Sequence, residues 1–317
     1  MRSVNTADKE LIQKAKMKKI IFGGTEKGGI LSRIMIYGIL TGLGFVYIYP
    51  LIYMLSLSLM STSDLVDATV TWIPTSLSRG SFIKAYETLN VLAGLKDSFI
   101  MSLIPALLQT VILAFAGYGM ARLQVPFKKM WLVLMVVAFL IPTQVTLIPR
   151  YLLFSSYQLL KTIWPTYLMS ALGQGVKSSI FFFIYYQFFQ SYPKSLDEAA
   201  QIDGASRLTV FIKIAIPMAR PAIVVSYLFS FIWFWNETTQ TSQLSAEAVN
   251  TLPMRLESFA VAFSRIFSSA EISTGGALNE SIRLAGTLIT IAPLLLLYIL
   301  LQRYFVEGVE RTGITGE

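Results

Sequence analysis

The sequence predicts an all-α, polytopic membrane protein, and three observations carry that reading. Hydrophobic residues make up 54% of the 317 positions and charged residues only 14%, whereas soluble domains are about a quarter charged. The apolar residues gather into six long runs, most of them close to the roughly 20 residues a helix needs to cross a bilayer. The charges fall almost entirely between those runs. Helices are the expected form, because open backbone cannot be satisfied in lipid.

Residues 1–30 are polar and basic, with Lys9, Lys14, Lys16, Lys18 and Lys19 before the paired glycines 23–24 and 28–29. Ile20–Phe22 is too short for the apolar core of a signal peptide. The first true run opens at Ile34, meets no charge until Asp64, and is long enough to act as an uncleaved anchor. Ser98–Ala121 follows, uncharged between Asp97 and Arg122, then Met130–Pro149 between Lys129 and Arg150. The fourth run, Thr162–Tyr192, is interrupted only by Lys177. The fifth is Pro221–Asn236 and the sixth Leu284–Gln302. Pro105, Pro142 and Pro149 predict kinks, which helical membrane bundles tolerate. The long connections, 60–97 and 237–283, are rich in turn residues, and Ser268–Ala277 reads as a flexible tip.

Charge placement sets the expected orientation. With the N-terminus inside, seventeen of the 26 Lys and Arg fall in inner segments and eight in the longer outer ones, Lys177 standing apart. Both termini are therefore expected on the cytoplasmic side. The same bias accounts for the net charge of +8 without nucleic acid. The chain has no Cys and no His, which removes disulfides, thiol chemistry and the commonest metal ligand and general base. Gly23–Gly29, GGTEKGG, is the nearest approach to a phosphate-binding loop and lacks the closing lysine. No catalytic, metal or cofactor site is predicted.

The polar island Ser195–Pro217, SLDEAAQIDGASRLTVFIKIAIP, separates the fourth and fifth runs. Ser195 is placed to cap a short helix, with Glu198 three residues on to close a capping box. Asp197 and Glu198 lie near the positive end of that helix. Leu196, Ala199, Ala200 and Ile202 give it a small apolar face, and Gly204 offers a left-handed exit after about two turns. The pattern describes a short exposed helix held between membrane segments.

Glu198-Ala199-Ala200, Gly204, Ile214, Ile216 and Pro217 resemble, at full spacing, the EAA loop of permease subunits in binding-protein-dependent ABC importers. Ile216 stands where leucine is more usual. Ile202–Ser206, IDGAS, resembles the sugar-importing branch, the maltose-type second permease. Further resemblances are Ala116–Arg122 to the end of that family's second span and Ile141-Pro142 and Leu147–Pro149 to its third. Trp235-Asn236-Glu237 resembles the outer end of its fifth span, and Gln302–Gly308 its tail. The resemblance implies a type I importer bundle over 31–317, with the EAA loop at 195–217 and a cytoplasmic tail at 303–317 touching ATPase subunits. It implies a multi-pass subunit of the bacterial cell membrane, non-catalytic itself. Its implied partners are a second homologous permease, two ATP-binding subunits, an extracytoplasmic solute-binding protein, a sugar or oligosaccharide and membrane lipid. Glu198, Ala199, Ala200, Asp203, Gly204, Ile214 and Pro217 are the implied ATPase-coupling residues. Residues 1–30 lie outside the resemblance.

For the solute path the candidates are Lys177, Trp233, Asn236 and Gln109, and each has a plainer reading. Lys177 either faces a cavity or snorkels to the outer interface. Trp233 and Asn236 could stack on and hydrogen-bond a sugar, while interfacial belting explains the tryptophans equally. Gln109, like Gln144, could simply bond helix to helix. A non-sugar importer permease is the nearest alternative. An ion-coupled secondary transporter is a further one, but would normally carry intramembrane carboxylates, and the six runs contain none.

Overall fold

The computed structural model describes residues 23–24, 27–267 and 280–313. Most of the basic N-terminal segment, the Ser268–Ala277 tip and the last four residues lie outside the described residues. The chain divides into two units, Met1–Arg79 and Gly80–Glu317.

In the first unit a two-residue antiparallel pair, β1 (Gly23–Gly24) with β2 (Lys27–Gly28), precedes α1 (Ile30–Ser58). Helix α1 is apolar all round and exposed along nearly its whole length, as expected of a helix that meets lipid or other chains rather than its own core. Tyr49 and Tyr53 pack against Trp72. Ser61 caps α2 (Thr62–Val66) in a reciprocal capping box with Asp64. Hydrogen bonding from Thr75 holds the Asp64 carboxyl below the usual aspartate range.

The second unit is built around α4 (Val91–Arg122), preceded by α3 (Gly80–Leu89). Helix α4 packs along α7 (Trp164–Ala171), α8 (Ser178–Ser191) and α12 (Arg220–Trp235). Its crossing with α8 is close because Gly117 has no side chain: a Cβ there would lie 2.6 Å from Tyr185 Cβ. Small residues are what let membrane helices approach in this way. Two cores result. One joins Ala106 of α4 to Phe231 and Trp235 of α12, and to Leu252, Phe259 and Ile282 beyond it. The other joins Leu113, Ala114 and Tyr118 of α4 to Phe181, Tyr185 and Phe189 of α8, and to Phe211 and Ala215. After α12 come α13 (Thr239–Leu244), α14 (Leu252–Glu257), α15 (Phe259–Ile266) and the long α16 (Glu280–Gly313).

The expected spans are less regular than the sequence suggests. The run 130–149 is split between α5 (Lys128–Leu140) and α6 (Thr143–Ser156), which meet at 96°. Pro142 is the reason. It cannot continue the hydrogen-bond ladder and pushes Ile141 into extended backbone. The run 162–192 is likewise split, α7 ending at Ala171 and α8 starting at Ser178. Pro105 and Pro149, by contrast, lie inside continuous helices. Before α12 the chain passes through α10 (Arg207–Val210), a π-helical turn at Phe211–Ala215 and α11 (Ile216–Met218). That stretch meets α12 at 76°. Among the described residues three helices, α1, α4 and 280–302 of α16, are long and apolar enough to cross a membrane, or five spans if each bent pair counts as one. The α7–α8 pair, the remaining expected span, is not among these.

Candidate functional site: the exposed helix and the polar cavities

The polar island folds as α9 (Lys194–Ile202) followed by a tight turn into α10. One expectation fails here. Ser195 is not the cap and no capping box forms. Pro193 occupies the N-cap position without a side-chain bond, so Ser195 falls inside the first turn. Proline brings its own suitable φ and has no N–H to satisfy, so the helix starts two residues early. Glu198 is exposed, and its side chain makes no hydrogen bond or ion pair among the described residues. The other end follows the sequence. Gly204 has φ +85°, its N–H donates to Gln201 O at 3.0 Å, and Ala205 N–H donates to Ala200 O at 2.9 Å. This pair of bonds is the Schellman arrangement, which favours glycine at its left-handed position. Glu198, Ala199, Asp203 and Gly204 are exposed, Ile202 is 86% exposed, and Pro217 is exposed beyond α10, while Ala200 and Ile214 are half-buried.

Of the nine residues of α9 only Asp197 is buried. Its Oδ2 lies 3.6 Å from Nε of Arg122, with the two side chains 5% and 10% exposed. The Tyr192 hydroxyl donates to Asp197 Oδ1. Arg122 donates through Nη2 to the Tyr192 carbonyl, and its guanidinium lies over the Tyr192 ring, 3.8 Å from the centroid. Arg122 ends α4 and Asp197 sits in the first turn of α9, so each charge stands at the helix end whose dipole favours it. Sequence reasoning missed this cluster. Each charge is visible at a helix end, but nothing local pairs residues so far apart.

The four path candidates separate. Lys177 has φ +53° in the break between α7 and α8 and lines a cavity of about 400 Å³ together with Gln144, Arg150, Gln174 and Gln240. No carboxylate lines it among the described residues, and Arg150 donates to Gln240 Oε1 at 2.9 Å. Gln109 is fully buried behind this break. Its Nε2 donates to Val176 O at 3.0 Å and Ser230 Oγ at 3.1 Å, and its Oε1 accepts from Ser178 Oγ at 3.2 Å. It therefore bonds α4 to α8 and α12 and offers no surface to a solute in this conformation. A side chain at Gly175 would overlap Gln109 Oε1, so glycine is needed for the close approach. Trp233 is half-buried against Phe181 and Phe229. Asn236 is exposed, donates to Ile232 O at 2.9 Å, and lines a second cavity of about 560 Å³ with Thr238, Glu257 and Arg283. Among the described residues no group of His, Cys, Asp or Glu is arranged to hold a metal ion.

The chain is similar to several bacterial transport proteins. It is 27% identical over 270 residues to the probable ABC transporter permease protein YurM of Bacillus subtilis, covering 84% of each chain. To the polygalacturonan/rhamnogalacturonan transport system permease protein YtcP of the same organism it is 26% identical over 289 residues, covering 90% of this chain and 99% of the relative. Its fold matches a crystal structure of a bacterial ABC transporter involved in importing the acidic polysaccharide alginate, with TM-score 0.72 and 19% identity, over 89% of this chain and all of that one. Residues 113–311, which hold α8 to α12 and the whole Ser195–Pro217 island, match the family described as binding-protein-dependent transport system inner membrane components, and the chain belongs to that family.

Proposed function

We propose that this chain is the permease subunit of an ATP-driven importer for a sugar or oligosaccharide, and that α9 with its following turn receives the push of the ATPase subunits. One observation carries the coupling role. Helix α9 presents Leu196, Ala199 and Ile202 to the outside on a helix of fixed ends, with exposed Glu198 and Asp203 beside them. An exposed apolar patch rimmed by polar groups suits a docking surface. Asp203, Gly204, Ile214 and Pro217 complete the coupling residues by shaping the exit from that patch. The names of the relatives support the solute class. They include a diacetylchitobiose uptake permease of Streptomyces coelicolor and an arabinooligosaccharide permease of Halalkalibacterium halodurans.

The partners in this reading are a second permease, two ATPase subunits and an extracytoplasmic binding protein. This chain does no chemistry itself. The excess of Lys and Arg in the segments carrying the termini and α9 supports a cytoplasmic position for all three. Residues 1–30 form a separate basic segment, and 303–317 a tail beside the ATPase subunits. On the solute side, Lys177 and Asn236 supply polar groups to the two cavities, while Gln109 holds the helix break that carries Lys177 and Trp233 packs within the bundle.

The test is solute uptake and binding-protein-stimulated ATP hydrolysis by the reconstituted complex. Gly204→Asp places bulk and negative charge at the helix end that disfavours it, and Glu198→Lys reverses a charge on the docking face. Both variants are expected to insert normally, and to lose uptake and stimulated hydrolysis together. Uptake near wild type in both would remove the coupling role of α9.

A further inference from the structure

We propose that Arg122, Tyr192 and Asp197 form a clasp that makes α9 and α4 move as one rigid piece, so that a push on α9 reaches the centre of the bundle through the end of α4. The proposal rests on the coupling role of α9 given above and says which internal contacts carry the load.

The geometry singles out these three residues. Helix α9 has one buried side chain, Asp197, so this carboxylate is its anchor in the bundle. The anchor is not a general apolar seat. It is a buried ion pair with Arg122, closed by the Tyr192 hydroxyl on the second carboxylate oxygen. Arg122 in turn binds the carbonyl of Tyr192, the residue that terminates α8, and stacks on its ring. Three helix ends, those of α4, α8 and α9, therefore meet in one knot of directional contacts. Above it, α4 runs on through the crossing with α8 at Gly117 to Gln109, which is bonded beside the Lys177 cavity. Rotating α9 about any axis must break one of these contacts or carry α4 with it. Breaking the Arg122–Asp197 pair leaves each charge buried without its partner, which is the costlier course. The three are positioning residues, acting through the helices they join.

The absence of native cysteine makes the test direct. Spin labels are attached to cysteines replacing Gln201, exposed on α9 away from the docking patch, and Val111 on the exposed face of α4. The distance between them is measured in the complex purified with its own partner subunits, first without nucleotide and then trapped with ATP and vanadate. In the otherwise unaltered chain the distance should be narrow and the same in both states. With Asp197→Asn it should broaden and shift on trapping, and ATP hydrolysis should continue with less solute taken up per ATP. Should Asp197→Asn fail to fold, the double variant Arg122→Met with Asp197→Leu removes both charges, keeps apolar contact and lacks the directional bonds; the same broadening is expected. A shift between states in the unaltered chain, or an unchanged distance in the double variant, overturns the clasp. If instead the unaltered complex fails to assemble with ATPase subunits or shows no stimulated hydrolysis, the underlying reading of α9 falls.

Discussion

Two charged sites in the second unit behave in opposite ways. The Arg122 side chain is buried and partnered: a carboxylate, a carbonyl and an aromatic ring all face it, although its Nε and Nη1 donate no hydrogen bond. Lys177 is exposed in a helix break, faces a cavity, and makes no ion pair among the described residues. In a chain with so few charges in its apolar runs, the difference separates two uses of a cation. A paired, desolvated charge fixes geometry and is costly to disturb. A charge without a partner contributes little to the fold and remains free to meet a solute. The neighbouring elements agree with this division. Helix α9 has a closed C-terminal cap and a single deep anchor, whereas Lys177 lies in a break flanked by Gly173, φ +70°, and by Gly175.

The largest expected effect comes from unpairing the buried charge. Asp197→Ala leaves Arg122 desolvated, and the loss should be about 3–5 kcal/mol, read as a lowered melting temperature and reduced yield of the purified complex. A cost no larger than that of an exposed substitution would mean that the cluster is not an anchor. Next is the α4–α8 crossing. Gly117→Ala sets a methyl group 2.6 Å from Tyr185 Cβ, and such overpacking should cost about 1–3 kcal/mol in the same measurement.

A smaller effect separates backbone from surface at Gly204. Gly204→Ala meets no neighbour within 4 Å but must adopt φ +85°, a strain of about 1–2 kcal/mol. It should lower stability slightly while keeping most of the uptake that Gly204→Asp is expected to abolish. Equal loss of uptake in both would assign the role of Gly204 to its conformation alone. The smallest stability effect belongs to Lys177→Gln, within about 0.5 kcal/mol. If the cavity is on the solute path, that variant should nevertheless alter the concentration dependence of uptake. A large stability loss would show that Lys177 is structural and undo the contrast with Arg122.

How far the sequence could be read depended on how local each feature is. Gly204 was legible because a helix stop of this kind is written in a few neighbouring residues. Pro142 was legible as a disturbance, but its size was not. A kink inside one span and a 96° bend between two short helices have the same sequence signal, and packing decides between them. The start of α9 was misread because Ser195 and Glu198 fit a capping box that Pro193 pre-empts by starting the helix two residues earlier. Gln109 could be seen as a polar residue in an apolar run. Its partners Val176, Ser178 and Ser230 could not, since they come from elements distant in the chain. The same holds for Arg122, Tyr192 and Asp197. The carboxylate was visible beside the more conspicuous Glu198, but only the fold brings it to the arginine.

The central claim, that α9 is the surface on which the ATPase subunits act, has a direct test in this cysteine-free chain. A cysteine replacing Ile202, 86% exposed on α9, is treated with a short bifunctional cross-linker in the purified complex. The account predicts a cross-linked product between this chain and an ATPase subunit, and protection of the same cysteine from a soluble thiol reagent until the ATPase subunits are stripped away. No cross-link, with equal labelling whether the ATPase subunits are present or absent, would contradict it.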